Sequence, residues 1–221
     1  MTNSYSRSVT DVRGWPVDPA AQAALREYLE APPRAEDYPQ PLAGGKLNFS
    51  GADLSGLDLS GAWFGDATLT GVRMTDADLF TAWLVQATLR GADLSRSNLR
   101  KVDGRACNAQ NAVFRDAVLE RADFEDSDFR NADMAGADFG RSSLSGTDLR
   151  GADLRNCRFG TSVGSTDLME ARLAGCRLEG ASGTVDGPID VGTDIPRILD
   201  GKDLQDWFTG MGAPQLRVTE A

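Results

Sequence analysis

Carboxylates recur at every twentieth residue in four pairs: Asp58 and Asp78, Asp103 and Asp123, Asp128 and Asp148, Asp133 and Asp153. A backbone that stacked residues twenty apart would set each pair on one face. Two neighbouring carboxylates can share a proton for acid–base work or hold a cation. Like charges ~5 Å apart repel by about 1 kcal/mol in water, and Arg130 and Arg150 stand where they offset the Asp128/Asp148 pair. A basic series at the same spacing, Lys101, Arg121 and Arg141 with Arg100 beside it, offers a seat for an acidic segment or simple charge balance. Other reactive types are scarce. Histidine is absent, which removes the commonest general base and a common zinc ligand. Cys107, Cys157 and Cys176 are an odd number with no framework spacing. With no metal-binding spacing, phosphate-cradling glycine loop or nucleophile motif, the reading is of a protein without catalysis, metal or cofactor.

What stacks residues twenty apart is legible in the apolar residues. A large one returns every fifth position: Phe49, Leu54, Leu59, Phe64, Leu69, Met74 and on to Leu99, then Phe114 to Phe159 in the same register. Neither a helix nor a flat strand has this period. Two residues before most centres stands a small residue, as in Ala52, Ala62, Ala122 and Ala137, with Asp or Asn often between. Small and large, two apart, face inward together as on one side of a strand. The other three residues face outward and turn the chain. Four such units close a square coil of 20 residues, and coils stack at the ~4.8 Å strand spacing. Each buried Leu or Phe is worth roughly 1.5–3 kcal/mol. The fold class is all-β, with a ladder core and no interior pocket.

The units "ADLSG", "ADLFT", "ADLRG" and "ADFED" resemble the pentapeptide repeat family over roughly residues 46 to 183. The resemblance implies a right-handed quadrilateral β-helix. Two departures are visible. Gly104 and Ala109 occupy centre positions in "KVDGRACNAQNAVF", which predicts a pinched coil without an inserted loop. After Phe159 the next centre is Leu168, nine residues on; one missing residue, with Val163 as a substituted centre, accounts for that. It also leaves Cys157 and Cys176 two residues before their centres and one coil apart, with parallel vectors that favour free thiols over a disulfide.

The chain divides into residues 1–45, an N-terminal extension with a capping helix; 46–183, the repeat; and 184–221, a C-terminal loop and amphipathic helix. In "VDPAAQAALREYLEAPP" Asp18 N-caps, Pro19 opens the helix and Pro32–Pro33 stop it, with Ala21, Leu25, Tyr28 and Leu29 as the apolar stripe. In "RILDGKDLQDWFTGMG" Leu204, Trp207, Phe208 and Met211 share one face, read either as a lid on the last coil or as a homodimer contact.

Composition narrows the function. Net charge is −10, which disfavours direct binding of nucleic acid. The first residues hold no apolar leader core and no stretch reaches membrane-spanning length, so a soluble cytoplasmic protein is expected. Trp63 and Trp83 stack on one outer wall with Phe80 and Val85 nearby; either the N-terminal segment around Trp15 covers them or they form a protein-binding patch. Members of the resembled family that protect DNA gyrase, a type II topoisomerase, mimic duplex DNA, give antibiotic resistance and dimerise through a C-terminal helix. By resemblance the same role is implied here, with a scaffold or regulator binding through the Trp63/Trp83 patch as the alternative. Residues 46–183 hold 20 acidic and 16 basic residues, whereas ~31 Å of duplex carries ~18 charges. Mimicry therefore needs one acidic face.

Overall fold

A computed structural model describes residues 5–31, 40–161 and 163–219. Its body is a stack of four-sided coils in which, from Asn48 to Asp138, the residue preceding a centre forms a parallel bridge with the residue 20 later, as in Trp63↔Trp83↔Asp103↔Asp123. The unit around Leu94 shows why the repeat has this form. Asp93 N–H donates to Val72 O (2.9 Å) and Leu94 N–H to Val113 O (2.7 Å), joining the coils below and above. Arg96 N–H reaches Arg115 O (2.8 Å), and Ser97 N–H closes a turn on Leu94 O (3.2 Å). The fifth donor, Ser95 N–H, goes to Asp93 Oδ1 (3.0 Å). Every N–H of the unit is satisfied, four by backbone and one by the motif carboxylate. From Lys46 to Asn156 the corner residue two after each centre has positive φ, which explains its frequent glycine: Gly91 lies at 63° and Gly151 at 71°.

Register persists through Gly104 and Ala109. Phe124, one coil on from Gly104, fills the space a centre side chain would take; a Cβ on Gly104 would come within 2.2 Å of Phe124 Cε1. Phe124 also packs edge-on against Phe129, with ring centroids 5.2 Å apart.

The coil after Phe159 corrects the sequence reading. Ser143 bridges Asp167 and Asp148 bridges Arg172, a step of 24 residues. Four residues are added, not one lost. They loop out between Gly160 and Thr166, with Thr161 and Gly164 paired and Val163 exposed rather than a centre. Thr166 Oγ1 anchors the loop, accepting from Gly160 N–H (2.8 Å) and donating to Phe139 O (2.6 Å). The longer coil also separates the cysteines. Cys157 lies beneath Ala181, Cys176 above Ala152, on neighbouring walls. Both are buried and free, as is Cys107.

Each end of the ladder is closed by the chain itself. At the first coil, Ser6 pairs with Leu57, Gly14 pairs with Asp53, and Asp18 Oδ2 accepts Asn48 N–H (3.1 Å). Helix α1 (Pro19–Glu30), N-capped by Asp18, buries Ala21, Leu25, Tyr28 and Leu29, and Tyr28 donates to Asp58 O (2.6 Å). The proposed stop at Pro32–Pro33 lies outside the described residues. At the other end parallel pairing runs past Gly183. Strands β1 (Thr166–Asp167), β2 (Ser182–Asp186) and β5 (Gln215–Val218) form one parallel sheet in the order β1-β2-β5; β3 (Ile189–Asp190) and β4 (Ile198–Leu199) pair antiparallel. Helix α2 (Gly201–Gly210) packs beside β5.

Candidate functional site

The four carboxylate pairs are register neighbours, but their surroundings differ. Asp128 and Asp148 are gripped by Arg130 and Arg150 through contacts of 2.7 and 2.5 Å. Burial, the largest single influence, pushes both carboxyls up, but the arginine hydrogen bonds, that of Gln110 to Asp128, the backbone N–H groups two residues on and the guanidinium charges together leave each below the usual value. Hydrogen bonding from Arg155 likewise holds Asp153 low, and Arg115 reaches Asp133 at 2.7 Å. On the Asp128–Asp148 wall Arg90, Arg130, Arg150 and Arg172 outnumber the carboxylates. These two columns are therefore charge-balanced ladders, not acidic faces. Asp78 is pushed up by burial and by Asp58, against hydrogen bonds from Phe80 N–H and the Asn98 amide. The Asp side chains spend one oxygen each on the turn two residues on, as Asp58 does for Ser60 and Asp123 for Glu125. Their recurrence follows from turn geometry.

Trp63 and Trp83 break that rule. They stand where the repeat favours Asp, so the N–H groups of Gly65 and Val85 find no acceptor among the described residues. The indoles are exposed, Trp63 by 61% and Trp83 by 44%. Phe80 is at the edge of exposure and Val85 half-buried. Among the described residues the N-terminal segment is spent on the first-coil edge rather than on the indoles, and Trp15 lies under Arg26 with 4.7 Å from guanidinium to ring. Phe80 has Lys101 Nζ 5.5 Å from its centroid. Neither Trp63 nor Trp83 has a cation over its ring among the described residues.

Sequence reasoning missed the glycines beneath the indoles. A Cβ on Gly65 would fall 2.9 Å from Trp63 Nε1 and 3.2 Å from Trp83 Nε1, so only glycine lets both rings lie down. A notch of about 460 Å³ opens between Ala43, Gly45, Lys46, Trp63, Gly65 and Asp66. The available signal was glycine directly after the centre in two successive coils, off the corner where glycine is otherwise used. With both bordering corners counted, this wall holds seven carboxylates against five cations, Lys46, Lys101, Arg105, Arg121 and Arg141. Asp103 and Asp123 lie on it, with Arg105 2.8 Å from the first and 3.7 Å from the second.

The C-terminal contact set divides. Leu204 and Phe208 are fully buried within the chain's own cap, so they are not available to a second copy; Trp207 and Met211 stay half-buried. The reason is β5, which was not foreseen and gives that stripe an intramolecular partner. Ile195 and Ile198 are exposed nearby in sequence. Among the described residues no helix is long and apolar enough to cross a membrane.

A family model for pentapeptide repeats matches in eight copies, over residues 48–82, 82–121, 105–134 and 122–160. No curated protein matches the chain. Similar solved structures include a pentapeptide repeat protein from the thylakoid lumen of Arabidopsis thaliana, at 29% identity over 46% of this chain and 68% of that one, with a TM-score of 0.38. HetL, a pentapeptide repeat protein involved in heterocyst differentiation regulation in the cyanobacterium Nostoc, is 24% identical over 66% and 79%, with a TM-score of 0.26. Full-length QnrB1, a plasmid-mediated fluoroquinolone resistance protein, is 15% identical over 79% and 92%, with a TM-score of 0.41. Since the repeat model matches residues 48–160 and the coils seen there have the same five-residue period, the chain belongs to the pentapeptide repeat family, whose members form right-handed quadrilateral β-helices.

Proposed function

We propose that this protein is a non-catalytic binding rod that meets another protein through the wall carrying Trp63 and Trp83. The observation that carries this reading is the exposure of two indoles in register on adjacent coils, at positions where the repeat otherwise places a turn-forming carboxylate. Large exposed aromatics in a contiguous patch mark contact surfaces. Both ladder edges are occupied by the chain's own segments, which leaves the walls as the surfaces for partners. The test is quantitative capture of binding proteins on immobilised wild type and on a Trp63→Ala/Trp83→Ala variant. Loss of a captured species at least tenfold supports the wall; an unchanged profile removes it.

A second reading is favoured by the charge of the same wall. Its carboxylates gather in the centre and along one edge, from Asp66 through Asp103, Asp123, Glu125 and Asp126 to Asp167 and Glu170, so action on a type II topoisomerase by partial DNA mimicry is the runner-up. It is tested by titrating the protein into gyrase supercoiling and drug-induced cleavage assays. No inhibition and no protection at large molar excess rejects it.

A further inference from the structure

The corners that border the Trp63–Trp83 wall carry opposite charge. The corner preceding it holds Lys101, Arg121 and Arg141 in successive coils, all at positive φ of 57–60°. The corner following it holds Asp66, Asp126 and Glu170, again at positive φ of 57–61°. Most of this charge is unspent. Arg141, Asp126 and Glu170 make no ion pair among the described residues, and Arg121 has only Glu120 at 3.9 Å. The wall thus has a basic edge and an acidic edge, with a strip between that is apolar at Trp63, Trp83 and Val85 and, from Asp103 to Asp167, carries four carboxylates against Arg105.

Such a surface is complementary to itself under one symmetry only. Laid face to face about a two-fold axis parallel to the rod, the basic edge of each copy falls on the acidic edge of the other at nearly the same height. A two-fold axis across the rod would set base on base. In the parallel arrangement Arg121 meets the partner copy's Asp126, since the two positions are one side of a coil apart, about a quarter of the ~4.8 Å rise. Arg141 falls level with the corner between Asp126 and Glu170. Along the strip, the column holding Trp63, Trp83, Asp103 and Ser143 lies over the column holding Gly65, Val85, Arg105 and Ser145. Indoles meet glycine and valine, aspartate meets arginine, serine meets serine. Asp123 over Glu125 sets like charges together, and Asp167 falls on Met169.

We propose that the Trp63–Trp83 wall pairs with the same wall of a second copy in a parallel, side-by-side dimer, held by Arg121–Asp126 and Arg141–Glu170 ion pairs across both borders. This rests on the reading of that wall as a contact surface and names its occupant. A wall ~10 Å wide and seven coils long is at the small end of interface sizes, so the dimer is weak and salt-sensitive.

The test is sedimentation velocity of the full chain over a concentration series at low and high salt. Wild type is expected to show a monomer–dimer equilibrium that shifts to monomer with added salt. Reversing one border, in Arg121→Glu/Arg141→Glu, weakens self-association at least tenfold, as does reversing the other in Asp126→Arg/Glu170→Arg. An equimolar mixture of the two reversed proteins restores the dimer, because one then carries two acidic borders and the other two basic ones; this rescue also shows that both variants fold. A wild type that is monomeric at every concentration overturns the self-pairing and leaves the wall's reading as a docking surface to its capture test. A dimer unmoved by both reversals but lost on Ile198→Glu also overturns it, and assigns the contact to the C-terminal end.

Discussion

Thr81 sits at a corner with φ of 56°, a left-handed conformation that a β-branched residue tolerates poorly. Its hydroxyl donates to Phe80 O at 2.7 Å, which offsets part of the strain. Thr81→Asn is expected to stabilise the fold by roughly 0.5–1 kcal/mol, because Asn enters this region more readily; denaturant melts of the two proteins read the change. Gly104 presents the opposite case. Its φ is ordinary, but Phe124 occupies the space of its absent side chain. Gly104→Ala is expected to cost about 1–3 kcal/mol by overpacking, with the same melts showing a lower midpoint. The glycines of this fold thus have two different reasons: the corner glycines answer to backbone torsion, Gly104 to a neighbouring ring.

At the scale of elements, α2 and β5 form an edge closure that depends on one side chain. Gln205 Nε2 donates to Leu216 O (2.8 Å) and its Oε1 accepts from Val218 N–H (3.2 Å). The amide imitates the next strand on the outer side of β5, whose inner side pairs with β2. Gln205→Ala leaves both backbone groups without that partner. An exposed strand edge invites pairing with other chains. The expected loss is about 1–3 kcal/mol, with faster hydrogen exchange at the Val218 amide than in wild type while amides of the inner coils keep their protection. Unchanged exchange at Val218 would mean that water or another group serves the edge equally well. Closure of the first coil by Ser6, Gly14 and Asp18 follows the same logic with different residues.

At the scale of the whole molecule, stability has a pH window set from two directions. Burial pushes the thiols of Cys107, Cys157 and Cys176 up to about 12, from an ordinary 9.0. The folded chain therefore keeps protons that the unfolded chain releases, so their contribution is complete below pH 9 and declines as pH rises toward 12. Asp128, Asp148 and Asp153 titrate below their ordinary 3.8, so their contribution is present above that pH and is lost as pH falls further. Urea melts from pH 3 to pH 11 are expected to give a plateau between these limits and a fall on both sides. A profile that stayed flat from pH 9 to 11 would show that the thiols ionise in the folded chain.

Much of this architecture was legible beforehand, because a five-residue apolar period admits few backbones and each Asp before a centre serves its own turn. Asp18 as an N-cap and the register of Trp63 with Trp83 are local facts of the same kind. The interval from Phe159 to Leu168 was not decidable: nine residues fit one deletion or one four-residue loop, and Thr166 bonding to Gly160 and Phe139 across the coil selects the loop. The stripe of α2 announced burial without naming its partner, and β5, distant from the repeat pattern, supplied it. The sequence by itself determined the period, the inward column and the register of the walls as far as Phe159, since these depend on neighbours within a few residues or one coil. Only the tertiary structure decided what covers the ends, which carboxylates are neutralised and which indoles stay bare, because those outcomes depend on segments from different parts of the chain competing for the same surface.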